Sequence, residues 1–401
     1  MTITPITDIN VAGKRLVVRA DLNVPLADGE VADATRITRF AQGMKPLLAQ
    51  GARLVILSHL GRPKGELNPA FSLHQIESTL ADALGCPVSF CETCAGPVAE
   101  NAAAALKDGE VLLCENVRFE RGEEMNDPGL ARKFAALGDI YVNDAFSCAH
   151  RAHASTAAIA ELLPATAGPL MIEEMEALTA ALEAPKRPSV AIVGGAKVSS
   201  KIAVLKHLVQ KLDAVIVGGG MANTFLFAKG APMGKSLHEA DQVETVKEIL
   251  LLAKAAKCEI LLPEDVVVAK EFREGARKKI VAWNECPDDA MILDAGSAAL
   301  RNFQGVLAGA QTILWNGPLG AFEIPPFDHS TMALAETAAE LTRAGLCVSV
   351  AGGGDTVAAL NTAGVADDFT YVSTAGGAFL EWLEGRVLPG IAALDRADQA
   401  A

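Results

Sequence analysis

The sequence predicts an α/β protein that contains two doubly wound parallel sheets. Short apolar runs alternate with helix-length amphipathic segments along the chain, which is the pattern of repeated βαβ units. The alternation is interrupted by one segment that ends in prolines, and it starts again near Ser189. At 401 residues, of which 50% are hydrophobic, the chain is too long for one ordinary core. We therefore expect two domains, each with its own sheet.

The first half of the chain contains a regular series of predicted strands and helices. Each strand is a short apolar run, and each helix is a longer amphipathic segment. The strands are expected near residues 15–21, 53–58, 87–90, 111–117 and 140–144, and the helices near residues 36–50, 72–84, 97–106 and 129–137.

The segment LMIEEMEALTAALEAPKRP joins the two halves. It carries charges on one face, as a surface helix does, and it ends at Pro185 and Pro188, which lack the N–H group that a helix requires. We expect an interdomain helix and a hinge over residues 171–187. In the second half, the apolar runs finish on glycine rather than on charge, within residues 189–197, 214–220, 347–355 and 371–377.

Composition argues against several classes of protein. The formal charge of -14 argues against nucleic acid or an anionic membrane as a partner, because either would require a broad basic field. No export signal and no apolar stretch of membrane-spanning length is visible. The eight scattered cysteines are typical of reduced thiols, so we expect a cytoplasmic protein. Cys91 and Cys94 could form a zinc or redox pair, but no second pair accompanies them.

Charged and polar side chains follow the predicted strands of the first half. They are Asp21 and Asn23 after the first strand, Arg36 at the start of the next helix, His59 and Arg62 after the second strand, Arg118 after the fourth and Arg151 after the fifth. A single arginine is usually solvated or paired with a carboxylate. The carboxyl ends of parallel strands, however, meet at one edge of a sheet. Guanidinium and imidazole groups gathered there suit a small, dense anion.

Glycine turns in the second half offer backbone N–H groups to nucleotide phosphates, because each turn leads from a strand into a helix. After Gly195, residues Lys197 and Lys201 are four apart and share one face of a helix. The alternative is a tight turn with two solvated lysines. Asp355 follows three glycines, and it either caps its helix or holds Mg²⁺ beside the phosphates.

Two familiar nucleotide-binding fingerprints are absent from the sequence. The segment from Gly230 to Ser236 resembles a Walker A element, but it is one residue too short and follows a predicted helix. No G-x-G-x-x-G follows a strand, which leaves a nicotinamide dehydrogenase with weak support. A two-domain anion-binding module without chemistry would explain the arginines, but it gives no reason for Lys197, Lys201 and Asp355.

Nine segments in order along the chain resemble the phosphoglycerate kinase family. They are VVRADLNVPL, SHLGRP, ENVRFE, NDAFSCAHRAHAST, GGAKVSSKI, GGGMANTF, LWNGPLGAFE, AGGGDTVAAL and STAGGAFLEWLEGR. The resemblance implies reversible phosphoryl transfer between MgATP and the carboxylate of 3-phosphoglycerate, which gives ADP and 1,3-bisphosphoglycerate. It implies a monomer with two Rossmann-like domains that close over a cleft, the first over residues 1–170 and the second over residues 188–387. The tail, residues 388–401, would pack back on the first domain.

The resemblance also implies roles for individual residues. Asp21, Asn23, Arg36, His59, Arg62, Arg118 and Arg151 would bind the glycerate ligand. Gly195, Lys201, Gly219, Asn316, Glu323, Gly353, Gly354, Asp355 and Thr356 would bind the nucleotide, with Glu323 on the ribose hydroxyls. Arg36, Lys197, Gly376 and Gly377 would serve the transferring phosphoryl group, and Asp355 would hold Mg²⁺.

The sequence departs from the family pattern at two places. The family's S-T-G-G-G-A segment has Ala375 in place of a glycine, so a role that needs positive φ at this position would be lost. Glu173 and Glu174 lie in the predicted hinge segment, where many relatives carry lysine.

Overall fold

The computed structural model describes residues 3–400, without the side chains of residues 396–400. The chain forms two compact units. The first unit is made of two parts of the chain, one up to Met175 and one from Val387 onward, and the second unit spans Glu176–Arg386. Among the described residues, no helix has both the length and the apolar character that crossing a membrane requires.

The first unit contains a parallel sheet of six strands. The strands of this sheet are β1 (Arg15–Ala20), β4 (Arg53–Leu57), β5 (Val88–Cys91), β6 (Val111–Cys114), β7 (Ile140–Asp144) and β8 (Ala165–Ala167). Strands β2 (Leu26–Ala27) and β3 (Glu30–Val31) form a separate two-stranded hairpin. The order in the parallel sheet is β5-β6-β4-β1-β7-β8. The chain therefore starts near the centre and extends to both edges, which is the doubly wound arrangement.

Helices follow the strands of this sheet along the chain. They are α1 (Thr35–Ala49), α2 (Glu77–Leu84), α3 (Pro97–Ala105), α4 (Pro128–Ala135) and α5 (Pro169–Leu178). In α1, apolar residues recur every three or four positions, and Ile37, Phe40, Met44 and Leu47 are buried in the same core as the strand residues. The amphipathic pattern thus fixes which face of α1 packs on the sheet.

The second unit contains another parallel sheet of six strands and a smaller antiparallel sheet. The strands are β9 (Ser189–Val193), β10 (Ala214–Val217), β11 (Glu259–Leu261), β12 (Asp265–Ala269), β13 (Lys278–Ala282), β14 (Met291–Ala295), β15 (Thr312–Asn316), β16 (Val348–Gly352) and β17 (Tyr371–Ser373). The parallel order is β11-β10-β9-β15-β16-β17, and the antiparallel order is β13-β12-β14. Together, the two parallel sheets confirm the predicted fold class.

The helices of the second unit lie between these strands along the chain or after the last of them. They are α6 (Ile202–Lys211), α7 (Gly219–Ala228), α8 (Val243–Ala256), α9 (Ser297–Ala308), α10 (His329–Arg343), α11 (Gly354–Ala363) and α12 (Gly377–Leu383). Because α7 precedes the Walker-like segment that starts at Gly230, that segment follows a helix, as expected.

Short irregular helices complete both units. The 3₁₀ turns are Ile6–Asp8, Pro69–Phe71, Leu73–Ile76, Val117–Phe119, Phe146–Cys148, Ala158–Glu161, Val198–Ser200, Ala240–Gln242 and Ala366–Asp368. Helix α5 continues as one π-helical turn, Thr179–Glu183, which ends before Pro185.

The chain returns to the first unit through helix α13 (Pro389–Ala400). The Gly390 N–H donates to the carbonyl oxygen of Ala149 at 2.9 Å. Leu388, Ile391 and Leu394 are buried, at 2% exposure or less. The last helix is therefore part of the packed first unit.

Candidate functional site

The charged residues predicted at strand ends of the first unit lie along one edge of its sheet. Asp21 directly follows β1, His59 lies two residues beyond β4, and Arg118 lies in the turn after β6. Because β6, β4 and β1 are successive neighbours in the sheet, their carboxyl ends place these residues side by side.

Hydrogen bonds join several of these residues into one group. Arg36 Nη1, at the start of α1, donates to Asp21 Oδ2 at 2.6 Å and to the Asn23 carbonyl oxygen at 3.3 Å. The Asn23 side chain accepts the Gly61 N–H at 2.8 Å. Arg118 Nη1 donates to the Gly61 carbonyl oxygen, also at 2.8 Å. Four predicted residues are thus linked through Gly61 or directly to one another.

The other two predicted arginines are more open to ligands. Arg62 is exposed and makes no hydrogen bond or ion pair with the described part of the chain. Arg151 is half-buried, and its Nε donates to His150 Nε2 at 3.2 Å. Since a guanidinium group carries five N–H donors, both side chains retain donors for an anion.

Arg19, inside strand β1, was not identified from the sequence. It is fully buried, and its Nη2 lies 3.1 Å from His59 Nδ1. A guanidinium group can only donate, so His59 Nδ1 is the acceptor and the ring proton is on Nε2. Burial, together with the charge of Arg19, holds the pKa of His59 well below its usual value. His59 is therefore a neutral group that offers one N–H donor.

A buried polar network holds Arg19 in place. Arg19 Nε donates to Ser155 Oγ at 2.9 Å, and Ser155 Oγ donates to Glu123 Oε1 at 2.6 Å. The Ser155 N–H also donates to Glu123 Oε2, at 3.0 Å. Burial raises the pKa of Glu123, whereas Arg19 and Ser155 oppose that rise. Burial and the charge of Arg118 lower the pKa of His153 to about 4, so His153 adds no charge at pH 7.

Asp21, His59 and Cys148 are the one group of three possible metal ligands among the described residues, with ligand atoms within 4.8 Å of one another. Arg19 Nη2, however, donates to His59 and lies 3.6 Å from Cys148 Sγ. A cation would be repelled by this guanidinium group. The edge of the sheet therefore suits an anion better than a metal ion.

In the second unit, a cleft of about 460 Å³ lies among the predicted nucleotide residues. Gly195, Gly219, Glu323 and Asp355 line it directly. Apolar walls with a few polar groups are typical of small-molecule sites. The apolar lining includes Leu237, Pro263, Met291, Phe303 and Leu319.

The glycine turns of this cleft pack closely on neighbouring backbone. A side chain at Gly194 would overlap the carbonyl oxygen of Pro318, and a side chain at Gly220 would overlap that of Ala196. These glycines are required for close approach of the turns, whether or not a phosphate is bound.

Lys201 lies behind the first glycine turn. Its Nζ donates to the carbonyl oxygens of Gly194 at 2.7 Å and Asn316 at 2.9 Å. Burial lowers the pKa of Lys201 to about 8, and the charge of Asp355 opposes this shift. The ammonium group therefore remains largely charged at pH 7 and has a third N–H for a phosphate oxygen.

Asn316 and Thr356 support the backbone of the same turns. Asn316 Nδ2 donates to the Gly352 carbonyl oxygen at 2.7 Å. Thr356 Oγ1 accepts the Gly317 N–H at 2.7 Å, and the residue is only 1% exposed. Asn316 Oδ1 is buried without a partner among the described residues, so it can accept one more hydrogen bond.

Lys197 and Asp355 are both exposed, and neither side chain is paired with a described residue. Gly353, with φ 97°, is the N-cap of α11, and Gly354 is its first residue. Asp355 is therefore not the N-cap, and its side chain forms no hydrogen bond with a described residue. Its carboxylate instead lines the cleft, and carboxylate oxygen is a ligand that Mg²⁺ prefers. The donor chemistry of Asp355 thus fits that ion.

Gly376 and Gly377 lie at the N-terminus of α12. Gly376 is the N-cap and has φ 56° and ψ -107°, a conformation that favours glycine. Ala375 is not among the described non-glycine residues with positive φ. The unusual conformation therefore belongs to Gly376, and the alanine at position 375 is accommodated.

Comparison with known families and relatives gives one consistent match. The family model described as Phosphoglycerate kinase matches residues 6–386. A protein named Phosphoglycerate kinase from Methylorubrum extorquens is 58% identical over 382 residues, which cover 95% of this chain and 96% of that protein. One of the same name from Agrobacterium fabrum is 58% identical over 393 residues, or 98% of each chain.

Solved structures agree with these matches. The structure of phosphoglycerate kinase from Coxiella burnetii has a TM-score of 0.93 and 42% identity, and the match covers 98% of this chain and 99% of that one. The structure of phosphoglycerate kinase from Pyrococcus horikoshii has a TM-score of 0.82 and 29% identity over the full length of both chains.

Proposed function

The chain belongs to the phosphoglycerate kinase family, and we propose that the residues described above carry out the reaction of that family. The reaction is the reversible transfer of a phosphoryl group between ATP and the carboxylate of 3-phosphoglycerate. The observation that supports this assignment of residues most directly is that the arginine-rich edge of one sheet and a cleft of about 460 Å³ lie on different units.

In this proposal, 3-phosphoglycerate binds at the edge of the first sheet. Arg62, Arg118 and Arg151 offer guanidinium N–H groups to its anionic oxygens, and His59 offers its Nε2 proton. Arg19 binds no ligand, because it is fully buried, but it fixes the tautomer of His59. Asp21 and Asn23 orient Arg36 through the contacts described above.

The nucleotide occupies the cleft of the second unit in the proposed complex. The apolar walls receive the base, and Glu323 receives the ribose hydroxyls. The glycine turns face the phosphates, and Lys201, whose Nζ is held by the carbonyl oxygens of Gly194 and Asn316, offers its remaining N–H to them. Asp355 is the residue that would hold Mg²⁺, which neutralises phosphate charge when it is bound.

The transfer needs no covalent intermediate on the protein. A carboxylate oxygen of 3-phosphoglycerate forms a bond to the γ-phosphorus as the bond from that phosphorus to the bridging oxygen of ADP breaks. Arg36 and Lys197 neutralise the charge of the migrating group, and the N–H groups at Gly376 and Gly377 can donate to its oxygens. Positioning and charge therefore account for the catalysis.

Replacing Lys201 with alanine tests the separation of the two sites. We expect ADP to bind about 10- to 100-fold more weakly, because a charge-assisted hydrogen bond to phosphate is lost. The affinity for 3-phosphoglycerate should be nearly unchanged. Calorimetry with each ligand alone measures both effects.

Lys206→Ala is the matched control for this experiment. Lys206 lies on α6, is partly exposed and forms an ion pair with Glu248 at 2.7 Å. Its loss should leave both affinities unchanged. Equal weakening of both ligands by Lys201→Ala would show that the assignment of the ligands to separate units is wrong.

Direct transfer also requires the two bound ligands to meet, so the proposal includes closure of the domains during turnover about residues 171–187. Each ligand alone contacts one domain and should leave the radius of gyration of the free protein unchanged. The ternary complex should be more compact. Small-angle scattering on free, binary and ternary samples tests this, and an unchanged radius with both ligands demonstrably bound would rule closure out.

The proposal places the enzyme in the cytoplasm as a monomer. All eight cysteines, which lie within the described residues, are free thiols. Free thiols fit a reducing compartment.

A further inference from the structure

Asp294 is a buried carboxyl group in the wall of the nucleotide cleft, and the reaction proposed above gives it no role. It lies on β14, is 3% exposed and contributes to the lining of the cleft. Buried carboxylates are costly unless hydrogen bonds satisfy them. The hydrogen bonds that stabilise the Asp294 carboxylate in this position therefore need to be identified.

Three donors converge on the Asp294 carboxylate. The Ser330 hydroxyl donates to Oδ1, and the Ser330 N–H donates to Oδ2 at 3.1 Å. The Ala295 N–H donates to Oδ1 at 2.9 Å. Ser330 is in the first turn of α10, so the carboxylate ties strand β14 to the start of this helix.

The residues next to Ser330 and Asp294 in sequence contact the wall of the cleft. Thr331, which follows Ser330, accepts the Leu319 N–H on Oγ1 at 3.1 Å. The Ala321 N–H donates to the Leu293 carbonyl oxygen at 2.9 Å. Between them, Gly320 has no room for a side chain, because the Asp294 carboxyl group fills that space. Leu319, Gly320 and Ala321 all line the cleft, so their positions depend on this packing.

We propose that Asp294 is a positioning residue of the nucleotide cleft, and that protonation of its carboxylate weakens nucleotide binding by releasing the wall at residues 319–321. This inference rests on the proposed assignment of the nucleotide to that cleft. It goes beyond that assignment because it adds a pH-dependent control of affinity by a group that does not contact the phosphates.

The proton has a defined place in the alternative state. When Oδ1 is protonated, its O–H donates to Ser330 Oγ, and the Ser330 hydroxyl can turn to the Ala295 carbonyl oxygen, which lies 3.5 Å away. A bond to a charged carboxylate is thereby replaced by weaker neutral hydrogen bonds. The connection between β14 and α10 becomes looser.

Burial, against the opposing charge of its surroundings, brings this change near neutral pH. Burial raises the pKa of Asp294 to about 7, and the contacts from Ser330 and Ala295 oppose the rise. Lys278 on β13 is the charged residue that acts on it most strongly, and it favours the carboxylate. On β12, the residue opposite is the uncharged Val267. At the start of α10, Asp328 and His329 precede Ser330 and form no hydrogen bond with Asp294 in the described structure.

The test compares ADP binding by the wild type and by Asp294→Asn from pH 6 to pH 8. The amide cannot ionise, so it resembles the protonated acid. We expect the two proteins to bind ADP equally near pH 6 and the wild type to bind about fivefold more tightly near pH 8. Because each comparison uses the same nucleotide at the same pH, titration of the phosphate and of Lys201 cancels in the ratio.

Two further variants complete the experiment. Ser330→Ala removes the hydroxyl that responds to the proton, and it should reduce the pH dependence even if Asp294→Asn does not fold. Asp265→Asn is the matched control, because Asp265 is a carboxylate on β12 whose partners are the N–H groups of Ala298 and Ala299. It should keep the wild-type pH dependence.

The outcomes separate this inference from the proposed function. A ratio of affinities that is constant from pH 6 to pH 8, with ADP bound normally, would overturn the role of Asp294 and leave the nucleotide site intact. Unchanged pH dependence in Ser330→Ala would also count against it. Failure of the wild type to bind ADP at any pH would overturn both.

Discussion

Replacing Arg36 with alanine is expected to lower kcat by about 10²- to 10⁴-fold, with a much smaller change in KM for 3-phosphoglycerate. Arg36 is held by Asp21 at 2.6 Å and is only partly exposed, so its guanidinium group is oriented before any ligand binds. A charge placed to serve the migrating phosphoryl group acts mainly in the transition state. Steady-state kinetics with each substrate varied in turn measures the effect.

Arg39→Ala is the matched control for Arg36. Arg39 lies one turn further along α1 and forms an ion pair with Glu173 at 3.1 Å. Its removal should leave kcat within a factor of about two, because it has no part in the proposed site. If Arg36→Ala raised KM and left kcat unchanged, Arg36 would be an ordinary binding residue.

Replacing the buried Arg19 with methionine is expected to destabilise the first unit by about 3–5 kcal/mol. The substitution removes the guanidinium charge that favours the buried Glu123 carboxylate most strongly, and it removes the hydrogen bond that holds Ser155, the hydrogen-bond donor to Glu123. Hydrogen exchange of the β1 and β7 amides should become roughly 10²- to 10³-fold faster. The β9 amides of the second unit serve as the internal reference.

The charge of Glu123 provides the second part of this experiment. Glu123→Gln in the Arg19→Met background should recover much of the lost protection, because the buried group then needs no counterion. The raised pKa of Glu123 means that the folded protein binds its proton more readily than the unfolded chain. The cost of Arg19→Met should accordingly be smaller at pH 5 than at pH 8. Equal protection in the single and double variants would show that Arg19 acts by packing alone.

The parallel sheets could be predicted because their signal is local. Each apolar run before an amphipathic segment became a strand before a helix, for example β4 at Arg53–Leu57 and β6 at Val111–Cys114. The convergence of Asp21, His59 and Arg118 then followed from a general rule, since parallel strands in one sheet end at one edge.

The antiparallel sheet of β12, β13 and β14 was not predicted. Strand β13, which has the sequence KKIVA, is exposed at its first three residues. A polar edge strand of this kind has little apolar pattern. Its pairing depends on partners that are distant in sequence.

The role of Arg19 was also not predicted, although the strand that contains it was. It lies within a buried strand, and a charged residue there is indistinguishable in sequence from one that points to solvent at a strand end. Its role depends on Ser155 and His59, which are 136 and 40 residues away.

The glycine clusters show a related limit of sequence analysis. The sequence suggested phosphate binding as their function, whereas Gly194 and Gly220 are also required by backbone packing.

The return of the chain at Val387 affects the order in which the protein can be made. The second unit is continuous in sequence, so all of its residues are synthesised before helix α13 is made. The first unit begins earlier but lacks the apolar residues Leu388, Ile391 and Leu394 until the whole second unit has been synthesised. During synthesis, the surface that these residues cover stays open to water and to chaperones. The domain that starts first is therefore the one that is completed last.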